Sequence, residues 1–277
     1  MEPGICKLCD KQKDLCDSHY VPAVVYKYSR GKELKNPSPV MLRGDSPKQG
    51  TIQARDYVFC QECERRLNEN GERWISQIIP TDYGAPFPLL EALKKANPVT
   101  REPGRVRLST VGVQNVEIEK LLYFAASVFW RGAVHEWPDP EGVPVPTLDL
   151  GDYQDSLKLY LRGENPFPSD LYVTVMLWPF QKVPPGLIFP DTYPNAKWKR
   201  FWFYISGIGF VLDVGSEVPE DVKKYSTSGS AQRLVTVDEQ FGIMAWETIK
   251  AMVGDVSRFG ALINEIAAVR AKGKPSV

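Results

Sequence analysis

Apolar side chains recur at helical spacing most clearly at Val116, Ile118, Leu121, Leu122, Phe124, Ala125, Val128 and Phe129. They predict a helix over residues 116–135 apolar enough to be central to a core. Elsewhere the period shortens to two. Val106, Leu108 and Thr110 alternate with polar neighbours as in a strand. Further strands are expected over residues 171–178, 200–206 and 210–214, the last two joined across Gly207-Ile208-Gly209 as a hairpin. A helix is expected over 152–162, and two more over 243–253 and 256–270, divided by Gly254 as a stop and Asp255 as an N-cap. Nearer the N-terminus, Pro22 is placed to open a short helix over 23–26, and Tyr57-Val58-Phe59 reads as a strand. Leu67, Trp74, Ile75, Ile78 and Ile79 mark a helix over 64–79 that Asn70-Gly71 interrupts. Residues 80–104 are rich in proline and glycine around one helical stretch, 89–96. The expected fold class is α+β, with a small N-terminal unit over residues 1–79, a linker over 80–104 and a larger α+β region over 105–277.

Composition narrows the function classes. The 277 residues are 43% hydrophobic and 25% charged with a formal net charge of zero, which argues against a globally basic nucleic-acid binder. Charge is uneven locally: residues 27–55 carry Lys27, Arg30, Lys32, Lys35, Arg43, Lys48 and Arg55 against only Glu33 and Asp45. That loop has the composition for phosphate contacts, with Lys27, Arg30, Lys32 and Lys35 as candidates; an ordinary solvated loop reads the same way. No apolar run approaches the roughly 18–20 residues of a membrane span, and the first residues lack a basic and apolar leader, so a cytoplasmic, unprocessed protein is expected. Five cysteines, four of them in C-x2-C pairs, favour metal over disulfide in such a compartment.

The pairs are Cys6-Lys7-Leu8-Cys9 and Cys60-Gln61-Glu62-Cys63. Each supplies two thiolates from one tight turn, so Cys6, Cys9, Cys60 and Cys63 complete a tetrahedral structural Zn2+ site. A rival set, Cys6, Cys9, Cys16 and His19, also has zinc-like spacing but leaves the second pair unexplained. Structural zinc contributes on the order of 10–16 kcal/mol of apparent binding energy, comparable to the ~5–15 kcal/mol that holds a typical domain together. A proline- and glycine-rich segment of this size is therefore expected to depend on the ion.

A C-x2-C knuckle, then Ser18-His19-Tyr20-Val21-Pro22, then a second C-x2-C leading into Glu64 at a helix start resembles the zinc-stapled treble-clef (ββα-like) unit of HNH endonucleases over roughly residues 5–75. The chain is also similar to bacterial proteins that join such a unit to a larger C-terminal region, on Phe124 to Trp130 followed by Arg131 and on Leu148-Asp149-Leu150-Gly151. The resemblance implies metal-dependent hydrolysis of phosphodiesters, DNA before RNA, in a setting of prokaryotic anti-phage defence. It implies His19 as general base on the attacking water, which suits an imidazole titrating near neutrality. It implies one catalytic Mg2+ or Mn2+ ion, with Ser18 and Glu64 at the ligand positions. Serine departs from the usual Asp or His, and Glu64 from the usual Asn or His; a carboxylate is the better ligand for a hard cation, and Asp17 is a nearby acid. Glu64 is equally suited to be a favourable acid in the first turn of a helix. The alternative is a non-catalytic zinc module with a degenerate site, serving interaction with nucleic acid, a protein partner or a second copy, and the larger region is then for recognition or regulation.

Other chemistry-bearing residues read as scaffold. His135, beside Glu136 and Trp137 at a helix end, suits capping or packing. Trp198, Phe201, Trp202, Phe203 and Tyr204, flanked by Lys197, Lys199 and Arg200, could stack bases but fit a core strand with a basic edge better. No glycine-rich phosphate loop or nucleophile motif points to a second activity.

Overall fold

The computed structural model describes residues 1–28, 40–43, 46–49, 53–81, 85–138, 144–145, 147–179 and 186–253, and the fold is α+β. The chain begins with an antiparallel hairpin of β1 (Glu2–Ile5) and β2 (Gln12–His19), with the first cysteine pair in the connection. α1 (Ala23–Tyr28), β3 (Val40–Arg43) and β4 (Ser46–Gln49) follow, and β5 (Arg55–Cys60) returns to pair antiparallel with β2. β5 runs straight into α2 (Gln61–Leu67), a π-helical turn (Asn68–Glu72) and α3 (Arg73–Ile78). The break expected at Asn70-Gly71 is thus a widened turn within a continuous helical rod. Gly71 is required there, because a Cβ would sit 3.0 Å from the backbone N, Cα and Cβ of Phe124.

Residues 80–104 hold α4 (Pro88–Leu93) and β6 (Pro98–Glu102); Pro98 is tolerated because β6 is an edge strand. β7 (Arg105–Ser109) leads to α5 (Ile118–Val134) and α6 (Tyr153–Arg162), the latter ended by Gly163 in the left-handed region. The remaining elements are β8 (Leu171–Leu177), β9 (Leu187–Thr192), β10 (Arg200–Ile205), β11 (Ile208–Val214), α7 (Glu220–Tyr225), β12 (Leu234–Asp238) and α8 (Glu239–Val253). The helix expected over 256–270, with Gly254 and Asp255, lies outside the described residues.

Two sheets result. One has the order β1-β2-β5, the other β4-β3-β9-β10-β11-β8-β12-β7-β6, so the segment between the two cysteine pairs contributes β3 and β4 to the larger sheet. All strand pairs are antiparallel except β3 with β9 and β8 with β12. The hairpin expected across Gly207–Gly209 turns instead at Ser206-Gly207. Ser206 and Gly207 carry φ of 39° and 90°, the positive values of a tight turn that follows the strand twist. Gly209 is instead inside β11, where a Cβ would overlap the Phe241 ring of α8.

α5 is the centre of the core, as its period predicted. It is buried from Leu121 to Gly132, and Phe124 and Phe129 meet Phe203 and Phe210 of the large sheet edge-on at 4.9–6.1 Å. Along β8, Leu171, Val173, Val175 and Leu177 alternate inward. At its C-terminal end α5 reaches the small sheet: Tyr20, just past β2, stacks on Trp137 at 5.3 Å and on Phe189 of β9 at 5.4 Å. One cluster of buried side chains runs from Cys6 and Leu8 through α5 to Phe241 and Ala245.

Candidate functional site

The four cysteines are brought together by two backbone turns. The knuckle Lys7–Cys9 closes through Asp10, whose amide donates to the Cys6 carbonyl at 2.9 Å and whose φ is 58°, while Cys60 ends β5 as the N-cap of α2. The Sγ atoms of Cys6, Cys9, Cys60 and Cys63 all lie within 4.8 Å of one another, with Cys9 and Cys60 at 3.9 Å. A tetrahedral ion with Zn–S bonds of about 2.3 Å needs sulfur atoms about 3.8 Å apart, so the donor set and its size fit zinc. The amide of Cys60 donates to the Cys6 sulfur at 3.3 Å, a contact that stabilises a thiolate. The hydrogen bond from Cys63 pulls the Cys6 thiol down strongly, while the same contact and burial push Cys63 up.

The rival set is not assembled. Cys16 pairs with Phe59 on β2 and stands outside the cluster; among the described residues the four-cysteine group alone has the spacing of a metal site with three or more ligands.

Beside the cysteines, β2, β5 and α2 form a strand–strand–helix unit. His19 is the last residue of β2 and is half-buried. Burial is the largest influence on its imidazole and lowers its pKa; the Asp17 carboxylate opposes, Arg55 and Arg131 lower it further and Glu72 raises it. The net result is a neutral ring at pH 7, able to accept a proton. Asp17 is held by Arg55 at 3.1 Å. Ser18 is only 1% exposed, and its hydroxyl is engaged, accepting from the Phe59 amide at 3.2 Å and donating to the Cys16 carbonyl at 3.3 Å.

Glu64 lies one residue beyond Cys63, on the first turn of α2. Burial raises its pKa, against the pull of the Arg131 guanidinium and the Ser18 hydroxyl, and its Oε1 is buried without a hydrogen-bond partner. Arg131 of α5 is itself 1% exposed. Its Nη2 binds Glu72 Oε1 at 2.5 Å, its Nη1 donates to the carbonyls of His19 and Tyr20 at 3.2 and 3.3 Å, and its guanidinium lies 5.5 Å from the Phe59 ring centroid. Neither a family model, nor a curated protein, nor a solved structure matches this chain.

Of the residues expected to touch nucleic acid, Lys27 is exposed near the end of α1, with its ammonium 5.9 Å from the Tyr28 ring. Arg30, Lys32 and Lys35 lie outside the described residues. His135 is the C-cap of α5, edge-on to Trp137, with Nε2 2.9 Å from Asp56. Phe201 to Tyr204 are buried in β10, while Trp198 and Arg200 both donate to the buried Asp213. A cavity of 620 Å³ is lined by Glu91, Lys95, Asn97 and Asn115 among others and by none of the candidate site residues.

Glu72 and Arg131 received no role from spacing. Arg131 had one signal, a lone arginine inside an otherwise apolar helical face. Glu72 had none, because the π turn that aims it is not visible in residue order.

Proposed function

We propose that the chain is a zinc-stapled phosphodiester hydrolase of HNH type acting on nucleic acid, with His19 as general base. The observation that carries this reading is Glu64: a carboxylate beside the zinc ligand Cys63, with a buried oxygen that lacks a partner, on the same strand–strand–helix unit that ends its first strand with a neutral His19. A buried, unsatisfied carboxylate oxygen is costly and calls for a proton or a cation.

His19 accepts the proton of the attacking water, which its lowered basicity leaves it free to do at neutral pH. Glu64 is the protein ligand for a divalent ion, Mg2+ or Mn2+, which when bound supplies neutralisation of charge on the leaving oxygen. Glu64 would be the residue that holds that ion, and among the described residues no group of three or more carboxylate ligands stands there. Ser18 holds β2 to β5 and lies beside Glu64; its buried hydroxyl serves as a support rather than a metal ligand.

The second reading, a non-catalytic zinc module presenting the larger region to nucleic acid or protein, is favoured by the Arg131 guanidinium, a fixed positive charge next to Glu72 and Glu64. Incubation of zinc-loaded protein with plasmid DNA and with RNA, with Mg2+ or Mn2+, separates the two. Cleavage that disappears in His19→Ala and Glu64→Gln supports hydrolysis by this site. Cleavage surviving His19→Ala defeats the assigned base, and no cleavage under any of these conditions favours the module.

A further inference from the structure

We propose that Arg131 is the positioning residue of this site: α5, from the larger region, delivers a buried guanidinium that fixes the backbone at His19 and the carboxylate of Glu72. The part of this proposal that concerns catalysis rests on the hydrolase reading above; the placement of His19 does not.

Arg131 is at a junction of three elements separated widely in sequence. It clamps two successive carbonyls, of His19 and Tyr20, where β2 ends and the chain turns toward α1. It pairs with Glu72 in the π turn and stacks over Phe59 of β5. Its own carbonyl accepts the indole N–H of Trp137 at 2.9 Å, which ties the end of α5 to the Trp137–Tyr20–Phe189 stack. One Nη1 donating to both carbonyls holds the two successive peptide planes that follow the His19 Cα, so the imidazole inherits its aim from a residue 112 positions away.

Stability alone is a poor explanation for the arrangement. Desolvating an arginine is expensive, and a buried ion pair is often matched or surpassed by apolar side chains of similar volume. Arg131 leaves its Nε buried and without a partner, so it does not saturate even its own donors. The approach of α5 is nonetheless built in twice. Gly71 lets the π turn lie against Phe124, and Gly132 leaves room for the Tyr20 hydroxyl. Both glycines serve a close contact that brings Arg131, Glu72 and His19 together.

The test uses full-length zinc-loaded protein carrying Arg131→Met, which keeps length and apolar bulk, and Arg131→Lys, which keeps the charge but cannot reach two carbonyls and a carboxylate together. The chain has two histidines, so imidazole-selective labelling gives two side-chain signals, with His135 as the internal reference. The expected result is that Arg131→Met displaces the His19 signal and leaves that of His135 in place. It should lower kcat by about 100-fold, the scale of a misplacement near 1 Å, with KM changed much less. Arg131→Lys should fold, move the His19 signal by a smaller amount and recover part of kcat. An unmoved His19 signal in either folded variant overturns the proposal, as does an unchanged kcat. If Arg131→Met does not fold, Arg131→Lys decides by the same His19 signal. If the wild type cleaves nothing, the hydrolase reading fails while the His19 signal still decides whether Arg131 positions it.

Discussion

Gly132→Ala probes how α5 is joined to the end of β2. At an exposed site in a helix the change would stabilise by about 1 kcal/mol, because glycine loses more backbone freedom on folding than alanine does. Gly132 is buried, and a Cβ there overlaps the Tyr20 hydroxyl and lies 3.2 Å from Tyr20 Cζ and 3.3 Å from Leu148 Cδ1. Tyr20 has no room to turn away: it is wholly buried between Trp137 and Phe189, with near-parallel rings at 5.3 and 5.4 Å. Overpacking costs about 1–3 kcal/mol, and a rigid neighbour places this case at the upper end, so the net expectation is a loss of about 2 kcal/mol. Tyr20→Phe relieves the clash. The Tyr20 hydroxyl is buried without a hydrogen-bond partner, so its removal should be neutral or stabilise by up to about 1 kcal/mol. The double variant should then recover most of the loss, with a coupling energy of about 1–2 kcal/mol. Urea unfolding of the four zinc-loaded proteins measures this. Gly132→Ala more stable than wild type, or a double variant no better than Gly132→Ala, would refute the packing argument.

Two further predictions concern the candidate site. Glu64 has a folded-state pKa above its unfolded value, so the folded form holds the proton more tightly and stability falls as pH rises from the ordinary glutamate range through the folded value. Glu64→Gln should therefore be more stable than wild type at pH 7, with a difference that shrinks toward pH 4.5, while cleavage is lost; urea midpoints across that range check it. Cys63→Ser should abolish zinc retention and, because the ion contributes roughly as much as a domain's whole stability, remove hydrogen-exchange protection from β1, β2 and β5. Cys16→Ser should leave zinc content and protection unchanged, since Cys16 is outside the cluster.

The parts legible in the sequence were those in which one local constraint decides the outcome. Two C-x2-C pairs needed no knowledge of the fold, because tetrahedral coordination already requires their geometry. The α5 period was equally explicit, with an apolar face from Leu121 onward that only a central helix can bury. What stayed hidden depends on pairing across long distances. β3 and β4 follow a basic, glycine- and proline-rich composition that reads as loop; they pair with each other, and β3 joins β9 more than 140 residues later. β6 was obscured by Pro98, whose missing donor matters little at a sheet edge. Ser18 was read as a departure at a ligand position, and burial with two backbone hydrogen bonds gives it a supporting place. The Glu72–Arg131 pair spans 59 residues and needs both the π turn and the close approach allowed by Gly71 and Gly132, none of which residue order displays.

The cluster of Cys6, Cys9, Cys60 and Cys63 stands where β1, β2, β5 and α2 meet, on the unit that carries His19 and Glu64, and the proposed zinc there is the central claim. X-ray absorption at the zinc edge on the purified protein tests it most directly. The predicted result is one zinc per chain with four sulfur neighbours at about 2.3 Å. Three sulfurs and one nitrogen, the signature of Cys6, Cys9, Cys16 and His19, or a folded N-terminal region that carries no zinc, would contradict it.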